Sequence, residues 1–226
     1  MNVYDIAAAL PPVDVLRERC RSLAVLERII DGGEPYYAFD PAWGDDEAAQ
    51  MSNGSGDEWT AVFTGDGTFI RVFAHESSMS PYRDPDGELW PGLLDGLPEV
   101  FRPQLDEPAF GDEIGQFVAT AVLWRRAGDD CWHAGTGIVF PPSRGPYDNV
   151  GPDGAAQLQI LLDDIVDQYV EFAGDYYETA VDRSAVEHIV ARRPLTEAVA
   201  RALNPDVDFA ALREDVTAIG YPVVAR

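Results

Sequence analysis

Lysine is missing altogether: all 16 basic side chains among the 226 residues are arginine. Without lysine the chain can form no P-loop, no Schiff base and no lysine general base. Histidine is scarce as well. His75, His133 and His188 stand 58 and 55 residues apart, so neither HExxH nor any other local zinc pattern exists. Only two cysteines occur, Cys20 and Cys131, with no CxxC, which fits a reduced, cytoplasmic protein better than a disulfide scaffold. GxSxG and GxGxxG are absent, so no cofactor and no metal is expected. No apolar run approaches the ~20 residues that cross a bilayer. Met1 to Leu10 has neither a basic n-region nor a long apolar core, so no signal peptide and no membrane association are expected.

What the chain does have is acid. Forty Asp and Glu against 16 arginines leave a net charge of −24. Residues 1–30 hold four of each sign and residues 183–226 six of each, so the whole excess sits in 31–182, with 30 acids against six arginines. Such a field repels nucleic acid and anionic membranes and attracts a basic protein or divalent cations.

With 46% hydrophobic residues the chain can bury a substantial core, and its length is within reach of one domain of about 200–250 residues. The expectation is a single α+β domain over 1–226: an antiparallel sheet of hairpins, strand-rich from 35 to 140, with an N-terminal helix and a helical C-terminal third from 154 to 220. Pro11-Pro12 precede an amphipathic helix over Asp14–Ile30, with Leu16, Cys20, Leu23, Leu26 and Ile30 on its apolar stripe and Gly32-Gly33 as its stop. Cys20 is read as core. Strands are expected at Pro35–Asp40 and Ala48–Ser52. Residues 77–113 hold six prolines among large apolar residues and read as a packed excursion with one or two helical turns, covering an edge or face of the sheet. Gly115–Trp124 and Cys131–Phe140 form a second hairpin. Beyond the loop Pro141–Gly154, helices are expected over Ala155 to Val181, Ser184 to Arg192 with a Ser184-x-x-Glu187 capping box, Pro194 to Leu203, and Asp208 to Ile219.

The centre of the pattern is Asn53 to Tyr82. Trp59, Ala61 and Phe63 alternate with Thr60 and Val62, Gly65-Asp66-Gly67 makes a tight turn, and Phe69, Arg71, Phe73 and His75 alternate with Ile70, Val72 and Ala74. The hairpin brings Asp57 and Glu58 roughly opposite His75 and Glu76, and these four are the candidate catalytic residues. A histidine beside carboxylates has a raised pKa and can serve as a general base or metal ligand, although strand alternation points His75 and Glu76 to opposite faces. The other candidate surface is acidic. At ~100° per residue, Asp164, Asp167, Glu171, Asp175, Glu178 and Asp182 share an arc of roughly 80°, and Trp43 stands among the acids of 40–58. These seven are the candidate partner-binding residues. Asp84-Pro-Asp86-Gly87 and Pro152-Asp153-Gly154 lack the closing ligands of a calcium loop and read as turns.

The words NGSGDEW, TGDGTFIRVFAHESSMSPY, Trp90-Pro91, Pro194-Leu-Thr and Leu203-Asn204-Pro205 resemble a family of bacterial hypothetical proteins; the resemblance spans most of the chain and carries over no catalytic residues. More broadly, an acidic α+β chain with a Gly-rich strand turn is similar to immunity proteins of bacterial toxin systems, the superfamily that includes Smi1/Knr4-like domains. Two readings follow. One is a non-enzymatic, acidic, immunity-like interaction module whose carboxylates steer a basic protein partner. The alternative is a small hydrolase or metal-dependent enzyme with its site at the His75 end of the hairpin.

Overall fold

The computed structural model describes residues 1–30, 35–142 and 151–224. Its six strands form one antiparallel sheet in sequence order: β1 (Tyr37–Trp43), β2 (Asp46–Ser52), β3 (Glu58–Thr64), β4 (Gly67–Phe73), β5 (Ala121–Arg126) and β6 (His133–Ala134). Helices α1 (Val3–Ala9) and α2 (Val13–Ile30) precede the sheet; α3 (Ile165–Tyr176), α4 (Arg183–Val190), α5 (Glu197–Leu203) and α6 (Phe209–Ala218) follow it. The α+β class read from the sequence is the class observed. Among the described residues no helix is long and apolar enough to cross a membrane. The Gly32-Gly33 stop and most of the Pro141–Gly154 loop lie outside the described residues.

The chain divides into two compact units, Met1–Val13 with Gln50–Gln159 and Asp14–Ala49 with Ile160–Arg226. In the first, β3 and β4 pair with Thr64 opposite Gly67, so Gly65-Asp66 is a two-residue turn. Gly67 is held at φ +142, and a Cβ there would lie 2.2 Å from the Arg125 carbonyl of β5. Every residue of β4 is buried, those of both alternating sets alike. The reason is the excursion. Its three 3-10 segments, Pro81–Arg83, Glu99–Asp106 and Pro108–Phe110, lay Phe101 and Phe110 against Phe69 of β4, with ring centroids 6.3 and 6.4 Å apart. Proline suits this region because 3-10 turns closed over a few residues tolerate its missing N–H.

One expectation fails here, and one element is new. The strand anticipated over Cys131–Phe140 pairs only at His133–Ala134, since Gly135 is packed under the Gly92 and Leu93 carbonyls and the Thr136 amide turns to the Asp95 carbonyl at 3.3 Å. Helix α1 was not anticipated. Asn2 caps it, with Asp5 closing a capping box, and the buried Asp153 carboxylate accepts the Val3 amide at 2.7 Å.

In the second unit, α2 buries Leu16, Cys20, Leu23, Leu26 and Ile29, and Cys20 is core, its thiol pushed up by burial. The long helix expected from Ala155 to Val181 is instead a 3-10 segment over Ala155–Leu161 followed by α3. Arg19 takes the Leu161 carbonyl at 2.7 Å, and the Ile165 amide bonds back three residues to Leu162. The expected Ser184 capping box is also corrected. Asp182 caps α4, and Ser184 lies inside the helix, donating to the Asp182 carboxylate at 2.6 Å. Glu27, 1% exposed on α2, accepts from the Tyr36 amide at 2.9 Å, the Tyr169 hydroxyl at 2.8 Å and the Tyr177 hydroxyl at 2.6 Å. Burial raises its carboxyl, and these donors oppose the rise. Phe172 of α3 packs on Tyr36 and Tyr37 at 4.7 and 5.3 Å, and these rings together with the Glu27 bonds join α2, β1 and α3.

Asp153 gives the first unit a pH signature. Burial pushes its carboxyl up to about 6 despite the amide bonds from Ala155 and Val3. A raised carboxyl holds its proton more tightly folded than unfolded, so its contribution to stability is complete below the ordinary aspartate range near 4 and declines as pH rises through about 6. Asp153→Asn has no such proton. Denaturant unfolding between pH 4 and pH 7 should show the natural protein losing about 2 kcal/mol relative to this variant; a pH-independent difference would contradict the assignment.

Candidate functional site

The hairpin does bring the four candidate catalytic residues to one end of the sheet. Glu58 stands opposite Phe73 in the register, next in the chain to Asp57 and with His75 two residues beyond its partner. Their side chains, however, are directed to structural tasks. One Asp57 oxygen accepts the His75 backbone amide at 2.9 Å and the other accepts the Asn53 side-chain amide at 3.1 Å. Glu58 pairs with Arg71, whose guanidinium is 2% exposed, donates to the Val118 carbonyl at 2.6 Å and lies over the rings of Phe73 and Phe110. His75 is exposed, packs along Gly56, and its imidazole makes no hydrogen bond or ion pair with a described residue. Glu76 is exposed and gives its carbonyl to Arg83. Asp57, Glu58 and His75 therefore do not meet through their side chains.

Beyond His75 the chain folds into consecutive turns. Ser77 donates to the Pro152 carbonyl at 2.6 Å and accepts the Met79 amide at 3.0 Å. Gly154, at φ +78, sits where a Cβ would be 2.4 Å from Ala74. The next turns open into a cavity of about 390 Å³ whose wall includes Met79, Ser80, Asp84, Glu88, Trp90 and Val139. No spacing in the chain signals it, because its two sides come from 78–91 and 137–139, brought together when Trp90 donates its indole N–H to the Val139 carbonyl at 3.1 Å.

The acidic arc is shorter than expected. Asp164, Asp167, Glu171 and Asp175 share the exposed side of α3 and its cap, but the helix ends at Tyr176. Glu178 follows in a left-handed conformation at φ 52, and Asp182 is the α4 cap, its carboxyl held low by the Ser184 hydroxyl and the Ala185 amide. Asp164 accepts from Gln168, and Asp167 pairs with Arg183. Glu171 and Asp175 have no hydrogen-bond or ion-pair partner among the described residues. Trp43, at the end of β1, is half-buried.

One juxtaposition escaped the sequence reading: Asp129, Cys131 and His133 meet across the β5–β6 turn. Nε2 of His133 is 3.3 Å from Asp129 and 3.9 Å from the exposed Cys131 sulfur. Both contacts use the same nitrogen, so the imidazole cannot relay a proton from thiol to carboxylate in the manner of a triad. Arg126 bonds Asp129 and holds its carboxyl low. The alternating Asp-x-Cys-x-His spacing was the available cue. His188 faces the Pro194 carbonyl at 3.1 Å. Among the described residues no group of three or more His, Cys, Asp or Glu is placed to hold a metal ion.

No family model, no curated protein and no solved structure matches the chain.

The different tasks of Glu58 and His75 can be read from stability. Removing one partner of a buried pair costs about 3–5 kcal/mol; because the Glu58 side chain is 41% exposed, Glu58→Ala should cost about 2 kcal/mol instead. His75→Ala, at an exposed position, should stay within about 0.5 kcal/mol. Equal losses in urea unfolding would mean that Arg71 does not depend on Glu58.

Proposed function

We propose that the protein is a non-enzymatic, acidic interaction module, immunity-like in type, that binds a basic protein partner. The observation that carries this reading is the outer side of α3, where Glu171 and Asp175 sit four residues apart, exposed and unengaged among the described residues, beside Asp164 and Asp167. Like charges one turn apart weaken a helix by about 0.2–0.5 kcal/mol per pair. The helix is held regardless, because its other side carries Tyr169 and Phe172 into the Glu27 network. Carboxylates held outward in this way steer a cationic surface and fix its orientation.

The alternative, a hydrolase or metal-dependent enzyme centred on His75, has less support. A general base needs its partner within hydrogen-bond reach. Asp57 is engaged with backbone and Asn53, and Glu58 with Arg71.

Glu171→Gln with Asp175→Asn relieves the repulsion within α3, so the double variant should fold at least as well as the natural chain. In pull-downs from host lysate at low salt, a basic protein retained by the natural chain should be retained at least about fivefold less by this variant, and His75→Ala should retain it undiminished. Full retention by the double variant, or loss with His75→Ala, would count against the reading.

A further inference from the structure

We infer that the Trp90 cavity is an anchor pocket for an arginine side chain presented by a segment of the protein partner. This rests on the reading of the chain as a binder of basic proteins and names a second contact surface for it.

The pocket offers what a guanidinium on an alkyl stem requires. Its volume of about 390 Å³ is within the range of small-ligand sites. Trp90 supplies an aromatic wall whose orientation is fixed by the bond to Val139, and Met79 and Val139 continue the apolar lining. Arginine stacks on indole better than on any other ring. Two carboxylates stand at the same cavity. Asp84 accepts the Asp86 and Glu88 amides through Oδ1, leaving Oδ2 outside those bonds, and Glu88 is exposed, its carboxylate without a hydrogen-bond or ion-pair partner among the described residues. Arg83, the one cation among the described lining residues, is already engaged by the Ser77 and Glu76 carbonyls.

Ser80 is the independent observation. It is 2% exposed and lines the cavity, and its hydroxyl has no hydrogen-bond partner among the described residues. A buried hydroxyl left unmatched is destabilising, and a donor arriving with a ligand would satisfy it.

The surroundings favour a polypeptide over a free small molecule. Residues 82–113 hold nine acids against two arginines. Tyr82, Val100, Ile114 and Val139 expose 58%, 46%, 84% and 77% of their surface in and beside this excursion. Apolar residues flanking an arginine would find partners there that free arginine would not use.

The test is an NMR titration of the full-length, 15N-labelled protein with the peptide acetyl-Gly-Leu-Arg-Leu-Gly-amide, with the same peptide carrying citrulline in place of arginine, and with free arginine amide. The arginine peptide should shift the Trp90 indole N–H and the Ser80 and Gly137 amides saturably. Citrulline, with the same shape and no charge, should bind at least tenfold more weakly, and Glu88→Gln should weaken the arginine peptide about fivefold. Equal binding of the citrulline peptide, or no shift at Trp90, overturns the pocket. Free arginine amide binding as tightly as the peptide overturns the polypeptide occupant. Shifts confined to α3 overturn the pocket but leave the basic-partner reading in place, so the two failures are distinguishable.

Discussion

The burial of Arg71 is the constraint around which the sheet of the first unit is organised. A guanidinium 2% exposed in mid-strand must find acceptors for its donors. It takes the Glu58 carboxylate from β3, the Val118 carbonyl from the approach to β5, and the rings of Phe73 and Phe110. These contacts tie three neighbouring chain segments and the excursion to one side chain. They also decide the chemistry of the hairpin end, since the carboxylate nearest the predicted site is the one Arg71 needs.

The second unit solves a related problem with the opposite sign. Glu27 is buried on α2, and its donors are two tyrosine hydroxyls and the start of β1. In each unit the buried charge is matched within its own contacts. The carboxylates of Glu171 and Asp175 on the outside of α3, and of Glu88 at the Trp90 cavity, have no comparable internal duty among the described residues. The functional reading follows from this division between engaged and unengaged carboxylates, more than from the net charge.

Much of the fold was legible because apolar periodicity is local. The β3–β4 hairpin with its Gly-Asp turn, the α2 stripe through Cys20, and the Asp208 start of α6 all depend on residues a few positions apart. What was not legible depends on distant partners. Arg19 takes the Leu161 carbonyl 142 positions away where an unbroken helix was expected, and the Gly92–Asp95 backbone draws Gly135 and Thr136 away from β5. The candidate site divides similarly. That Asp57 and His75 would be neighbours could be read from the turn, but that Asp57 would bond the His75 backbone could not. The Trp90 cavity joins segments about 50 residues apart, and no spacing announces it.

The absence of lysine supplies the most direct measurement. A carbodiimide joins carboxylates to amines, and this chain contains no lysine, so amide cross-links from its Asp and Glu side chains to lysine identify another protein. The protein would be treated with carbodiimide in host lysate at low salt and again at about 0.5 M salt, where the Debye length falls to roughly 4 Å, and the linked residues mapped by mass spectrometry. The account predicts cross-links from Glu171, Asp175 and Glu88 to lysines of one basic protein, strongly reduced at high salt. Cross-links confined to Asp57 and Glu58, or none to any other protein at either salt, would contradict it.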